Sequence, residues 1–86
     1  MSEKNWSVYL LRCSDNSLYC GVSNNIAKRI AEHNSGLGAK YTRSHRPVAL
    51  VVTSRGMSKG DAFKLEHQIK KLPADQKIAD LEKWSS

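Results

Sequence analysis

The sequence predicts an α+β domain in the order β-β-α-β-α-α: one small three-stranded antiparallel sheet flanked by helices. Three features predict it. Two short runs of β-branched, aromatic and aliphatic residues are joined by a polar turn. Helical periodicity starts right behind the second run at an asparagine-rich cap. A later apolar run is followed by two capped, amphipathic stretches.

Residues 6–12 (WSVYLLR) read as the first strand and residues 18–22 (LYCGV) as the second. Between them, Ser14-Asp15-Asn16-Ser17 is turn chemistry, because Asp and Asn tolerate the left-handed region and bond their own backbone. The pair is a hairpin whose register decides what it can do. A two-residue loop at Asp15-Asn16 would put Tyr9 and Tyr19 on opposite faces, whereas a three-residue or bulged loop would put them on the same face. The sequence leaves this open. Ser23-Asn24-Asn25 supplies N-cap candidates for the helix IAKRIAEHN, with an apolar arc of Ile26, Ala27, Ile30 and Ala31. Arg29 and His33 are four apart and stack on one edge of that arc. Residues 35–46 (SGLGAKYTRSHR) form a basic, glycine-bearing loop. Pro47 opens VALVVT, whose continuous apolar run is expected of a buried central strand. Ser58 or Asp61 caps the helix DAFKLEHQIKKL; Pro73 ends it and begins the short helix ADQKIADLEKW.

The 86 residues are expected to form a single domain, 1–86, with a formal charge of +6 from 14 Lys+Arg against 8 Asp+Glu. Such an excess favours polyanions, nucleic acid first and acidic membrane surface second. Cys13 and Cys20 match no zinc spacing and are expected as free, partly buried thiols in a reducing compartment. MSEKNW lacks an apolar signal core, and no apolar run approaches the roughly 20 residues a membrane span needs. The expected location is the cytoplasm, with no membrane partner.

Some residues resist a purely structural account. Glu66 falls inside the apolar arc of Leu72, Leu65, Ile69, Ala62 and Phe63, where a carboxylate is costly unless paired, as with Lys70, or metal-bound. Tyr9 and Tyr19 suit sheet packing with the hydroxyls reaching solvent, and Arg29 with His33 suits an exposed helix flank. Together, however, one carboxylate, one arginine, one histidine and two phenols are a kit for cutting a phosphodiester. The carboxylate can hold Mg²⁺ or Mn²⁺. The arginine can fork onto a non-bridging oxygen, and a phenol assisted by a cation or imidazole can position or deprotonate water. In the basic loop, Lys40, Arg43, His45 and Arg46 fit phosphate tracking, with Tyr41 as a stacking ring. Lys64, Lys70, Lys71 and Lys77 lie on or after the second helix, where plain solvent-facing positions account for them.

Ser7-Val8-Tyr9 followed by Tyr19-Cys20-Gly21 resembles the paired signature of the GIY-YIG nuclease superfamily. Arg29, His33 and Glu66 then follow in order, and HNSGLGAKYTRSHRPVALV is similar to the continuation in its small stand-alone UPF0213 (YhbQ-like) type. The resemblance covers roughly residues 6–72. It implies a small three-stranded antiparallel sheet with helices and metal-dependent hydrolysis of DNA phosphodiesters with one divalent ion. In that resemblance Tyr9 is the general base or its activator, Tyr19 positions water and phosphate, and Arg29 stabilises the phosphorane-like charge. His33 handles protons or contacts phosphate, Glu66 is the metal ligand, and Gly21 permits close backbone approach. The chain departs from the pattern at Ser7 and Val8 and at Cys20. It also lacks any asparagine after Asn34, where many members carry one beyond the glutamate, and ends its third strand in Thr53-Ser54, where the small type often places an acid.

The function expected is therefore a small metal-dependent endonuclease acting on DNA, structure-selective in repair or recombination. The alternative is a nucleic-acid-binding module of the same fold that does not cut. Phosphate and shape contacts should dominate, with RNA as the other candidate ligand and a protein partner or homodimer as the source of specificity.

Overall fold

The structure is a computed structural model describing residues 4–85. Its elements are β1 (Ser7–Arg12), β2 (Leu18–Ser23), α1 (Ile26–Ser35), α2 (Lys40–Arg43), β3 (Ala49–Thr53), α3 (Lys59–Lys70) and α4 (Ala74–Glu82). The strands form one antiparallel sheet in the order β2-β1-β3. The one element the sequence did not foresee is α2, a single turn inside the basic loop.

The central strand is β1, not the expected β3. Val8, Tyr9, Leu10 and Leu11 are all buried, whereas Ala49 and Leu50 at the start of β3 are exposed. A continuous apolar run marks burial on both faces only when both faces are covered. Here β1 has helices on both sides, while β3 lies at the edge. Val8, Leu10 and Cys20 meet Ala62, Leu65 and Ile69 of α3 and Leu81 of α4 on one face. Tyr9, Leu11, Cys13 and Val48 form the other core, closed by Tyr19, Ile26 and Ile30.

The hairpin takes the odd loop. Cys13 N donates to Ser17 O at 2.9 Å and Asn16 N to Cys13 O at 2.9 Å, which encloses the three residues 14–16. Asn16 adopts φ 72°, a left-handed position that asparagine accepts more readily than most residues. Asp15 Oδ1 accepts from Ser17 N at 3.1 Å. The register then pairs Tyr9 with Gly21 and Leu11 with Tyr19, so both tyrosines lie on the face that α1 covers.

Local chemistry sets the helices. Asn25 caps α1 by accepting from Lys28 N at 3.2 Å, and Ser58, rather than Asp61, caps α3 by accepting from Asp61 N at 3.2 Å. Two expected arcs need correction. On α1, Ala27 and Ala31 are exposed and His33 is the residue fully buried; Ile26, Ile30 and His33 make the inward stripe. On α3, Phe63 is 47% exposed and its ring sits 6.5 Å from Trp6 instead of entering the core. Alanine is small enough to be left outside when a larger group competes for the same space. Lys77 is not a plain surface lysine either. Its Nζ donates to Ile69 O at 3.0 Å, Lys70 O at 3.0 Å and Leu72 O at 2.6 Å, so it caps the C-terminal end of α3.

Asn34 ties the two halves together: its amide donates to Val48 O at 3.1 Å and accepts from Val48 N at 2.7 Å. The peptide before Pro47 is cis. At the far end of β3, Ser54 Oγ accepts from Val8 N at 2.9 Å, extending the strand pairing by a side chain. Among the described residues, no helix is long and apolar enough to cross a membrane.

Candidate active site

The same-face register of the hairpin brings Tyr9 and Tyr19 within 6.4 Å, centroid to centroid. α1 delivers His33 between them. Tyr9 Oη and His33 Nε2 are 2.9 Å apart, and the Tyr19 ring lies edge-on to the imidazole at 5.2 Å. Tyr9 is 1% exposed and His33 0%, so this hydrogen bond is closed to solvent. Neither residue behaves as the surface group that sheet packing or an exposed helix flank would make of it.

Two glycines make room. A Cβ on Gly21 would overlap the Tyr9 hydroxyl and lie 2.5 Å from Cζ of the same ring. A Cβ on Gly38 would overlap Nδ1 of His33 and lie 2.8 Å from its Cα. Real carbon atoms do not approach so closely, so glycine at these positions is a condition for the Tyr9–His33 pair. Gly21 thus admits a phenol from the neighbouring strand, which is more specific than the close backbone approach expected of it.

Arg29 lies one turn before His33, beside the Tyr9 hydroxyl. Its Nη1 donates to Glu32 Oε1 at 3.0 Å, and both side chains are one-third exposed. Burial pushes the Tyr9 phenol up to about 12, while the Arg29 guanidinium pulls the other way. Burial also lowers the His33 pKa, helped by the Arg29 charge. At neutral pH Tyr9 therefore holds its proton and His33 is neutral. Which of the two donates in this bond depends on the tautomer of the imidazole.

An array of rings leads outward. Tyr41 of α2 stacks on Tyr19 at 6.3 Å and 18°, and His45 stacks on Tyr41 at 4.2 Å and 10°. His45 Nδ1 is 2.6 Å from Tyr41 O, its Nε2 is 3.3 Å from Asp15, and the Tyr41 hydroxyl meets Ser17. The basic loop is thereby docked onto the hairpin loop. Arg46 turns back to donate to Arg43 O at 3.2 Å and Asn34 O at 3.4 Å. Lys40 and Arg43 are exposed.

Glu66 stands apart from this cluster. It lies on α3, across the sheet from Tyr9 and His33, and its carboxylate, 17% exposed, meets Lys70 Nζ at 3.3 Å. This is the pairing that a carboxylate on an apolar arc calls for. Its charge is felt at the edge strand: burial and Glu66 together push the Cys20 thiol up to about 12. Cys20 sits between Tyr19 and Gly21. Lys70, Cys20, Tyr19 and Tyr41 also line one shallow groove of about 350 Å³. Glu66 itself does not line this groove; its partner Lys70 does. Among the described residues, no three His, Cys, Asp or Glu cluster in a metal-ligating group. A single hard oxygen donor fits an ion that keeps most of its waters and takes its other ligands from phosphate, as Mg²⁺ does.

Sequence reasoning missed Thr42, Gly38, Glu32 and Ser17. Only Glu32 had a signal, its i,i+3 spacing from Arg29. The others meet the site through tertiary packing.

The fold and cluster define a class: an α+β domain whose first hairpin carries two same-face tyrosines against an Arg-x3-His helix. The model of the family described as the GIY-YIG catalytic domain matches residues 5–79, and the chain belongs to that family, a family of nucleases. More particularly, it is 51% identical over 77 residues to a UPF0213 protein of Neisseria gonorrhoeae, covering 90% of this chain and 85% of that one. It is 47% identical over 75 residues to a UPF0213 protein of Staphylococcus haemolyticus, covering 87% and 92%. A solution structure of an E. faecalis protein superposes with TM-score 0.62 at 38% identity, covering 96% of this chain and 90% of that one. The UPF0213 protein of Bacillus halodurans gives 0.55 at 36%, covering 100% and 88%.

Proposed function

We propose that this protein is a small metal-dependent endonuclease that hydrolyses DNA phosphodiesters, working as a single domain in the reducing cytoplasm on branched or damaged DNA. The observation that carries this is the closed Tyr9–His33 hydrogen bond with Arg29 beside it and Tyr19 against it. A buried phenol bonded to a neutral imidazole has little structural reason to stand beside an arginine, and good chemical reason to do so.

In this reading Arg29 uses donors not taken by Glu32 to grip a non-bridging oxygen as charge develops. Tyr19, half-buried at the rim, positions water and phosphate. Tyr9 passes its proton to His33 Nε2 and its oxygen accepts a proton from the attacking water. His33 holds that proton and returns it through the same hydrogen bond, so that Tyr9 Oη can release one proton outward to the departing oxygen. Glu66 would hold one Mg²⁺ or Mn²⁺, which when bound supplies polarisation of the phosphate and stabilisation of the leaving oxygen. Lys40, Tyr41, Arg43, His45 and Arg46 guide the backbone into the groove, with Lys40 and Arg43 supplying exposed charges. Selectivity comes from a second copy or a protein partner, because so few groups here reach base edges.

A second reading, a binding module of the same fold that does not cut, is favoured by one observation: Lys70 already occupies an oxygen of Glu66. One experiment separates them. Supercoiled plasmid and a branched DNA junction are incubated with wild type and Glu66→Ala in Mg²⁺, Mn²⁺ or EDTA, with an RNA hairpin in parallel. Metal-dependent nicking that vanishes in the variant, with DNA binding retained, is the expected result. Binding by both proteins with nicking by neither overturns the nuclease in favour of the module.

A further inference from the structure

Beyond the residues assigned above, the hydrogen bonds continue past His33. Its Nδ1 is 2.7 Å from Thr42 Oγ1, and Thr42 Oγ1 is 2.9 Å from Ala39 O. Thr42 is 0% exposed, as is His33. Four groups therefore share three protons in a site closed to bulk solvent: the Tyr9 hydroxyl, the imidazole and the Thr42 hydroxyl each contribute one, and the Ala39 carbonyl contributes none.

Two directions of donation are conceivable. If Thr42 donates to Nδ1, then Nε2 carries the ring proton and donates to Tyr9 Oη. The Tyr9 proton is then left without an acceptor, since its other neighbour, Arg29, offers only donors. A residue 1% exposed cannot hand that proton to bulk water. If instead Thr42 donates to Ala39 O, Nδ1–H donates to Thr42 and the Tyr9 hydroxyl donates to Nε2. Every proton then has an acceptor, and the Arg29 guanidinium can still donate to Tyr9 Oη. Buried polar groups overwhelmingly adopt the satisfied arrangement.

We infer that Thr42 is a positioning residue that fixes His33 as its Nδ1–H tautomer, so that Nε2 presents a lone pair to Tyr9. Thr42 touches no substrate; it sets the direction in which the Tyr9 proton can move. The Ala39 carbonyl anchors the threonine, and Gly38 leaves the imidazole room to lie against this segment. The role of the second ring nitrogen is the usual one: the bond it makes decides which tautomer the first presents. The catalytic consequence rests on the nuclease reading above; the tautomer does not.

The test keeps the two apart. Long-range ¹H–¹⁵N NMR of His33 is recorded without substrate in wild type, Thr42→Ser and the near-isosteric Thr42→Val. The expected spectra show an unprotonated Nε2 in wild type and Thr42→Ser, and a shift towards protonated Nε2 in Thr42→Val. Cleavage by Thr42→Val should fall by about 10²- to 10⁴-fold in kcat, the range general-base assistance supplies, with unchanged DNA affinity and rescue by serine. A protonated Nε2 in wild type overturns the inference whether or not the protein cuts DNA, and this arm needs no variant to fold. An unchanged tautomer in folded Thr42→Val overturns it as well. If the tautomer behaves as expected and wild type does not cleave, only the nuclease reading fails.

Discussion

Replacing Gly21 with alanine would place a methyl group inside the volume of the Tyr9 ring. The new Cβ would overlap the hydroxyl, lie 2.5 Å from Cζ and 3.0 Å from Cε2. The obstacle is the rigid end of a ring that is itself buried, so the strain cannot be relieved by moving a floppy chain end. Overpacking of this kind costs about 1–3 kcal/mol. Displacing the phenol also lengthens its 2.9 Å bond to His33 and leaves a buried donor and acceptor poorly matched, about another 1 kcal/mol. A total of roughly 3 kcal/mol would lower the midpoint of thermal unfolding of so small a domain by on the order of 10–20 °C. The assay is a double-mutant cycle with Tyr9→Leu, read by urea and thermal denaturation. Leucine lacks the ring atoms that the methyl meets, so Gly21→Ala should cost much less in that background, leaving a coupling of about 2–3 kcal/mol. Gly21→Ala costing the same in the wild-type and Tyr9→Leu backgrounds would refute the packing argument and return Gly21 to an ordinary strand-end glycine.

Acid and alkali should unfold the protein through different groups. The folded His33 titrates below the ordinary value of about 6.5, so its contribution is complete above about pH 6.5 and is lost as pH falls through the lowered value. Tyr9 and Cys20, both pushed up to about 12, act in the opposite sense: stability is complete below the unfolded values, about 8.5 for the thiol and 10 for the phenol, and falls as pH rises towards 12. Urea midpoints should show a plateau from about pH 6.5 to 8.5, with the acid slope reduced in His33→Gln. Lys77→Met keeps the side-chain stem but removes three hydrogen bonds from the end of α3, and should lower the unfolding free energy in urea by about 1.5–3 kcal/mol. Lys40→Ala and Arg43→Ala should each reduce the salt slope of DNA binding by about one without changing the melting temperature. Arg46→Ala should also lower the melting temperature, because its guanidinium ties α2 to the end of α1.

The sequence by itself determined the three strands and three longer helices and their order; only the single turn α2 lay beyond it. Turn chemistry at 14–17, the cap candidates at 23–25 and at Ser58 or Asp61, and the Pro73 break are local signals, and each acts within a few residues of where it is written. It also determined the chemical types available and, through the ordered spacing of Tyr9, Tyr19, Arg29, His33 and Glu66, the family. What it left open was everything that depends on one segment meeting another. The loop length that puts the two tyrosines on one face hinges on whether Asn16 takes a left-handed conformation, which the paired strands decide. Which strand is central depends on which is covered twice, and an apolar run such as VALVVT carries no record of its neighbours. Ala27, Ala31 and Phe63 look inward on a helical wheel, but the wheel cannot tell which residues will compete for the same space. The imidazole of His33 is buried because β1, with Tyr9, and the loop 35–46, with Gly38 and Thr42, converge on it. That convergence, which sets its tautomer, its neutrality and its partner, exists only once the chain has closed around it.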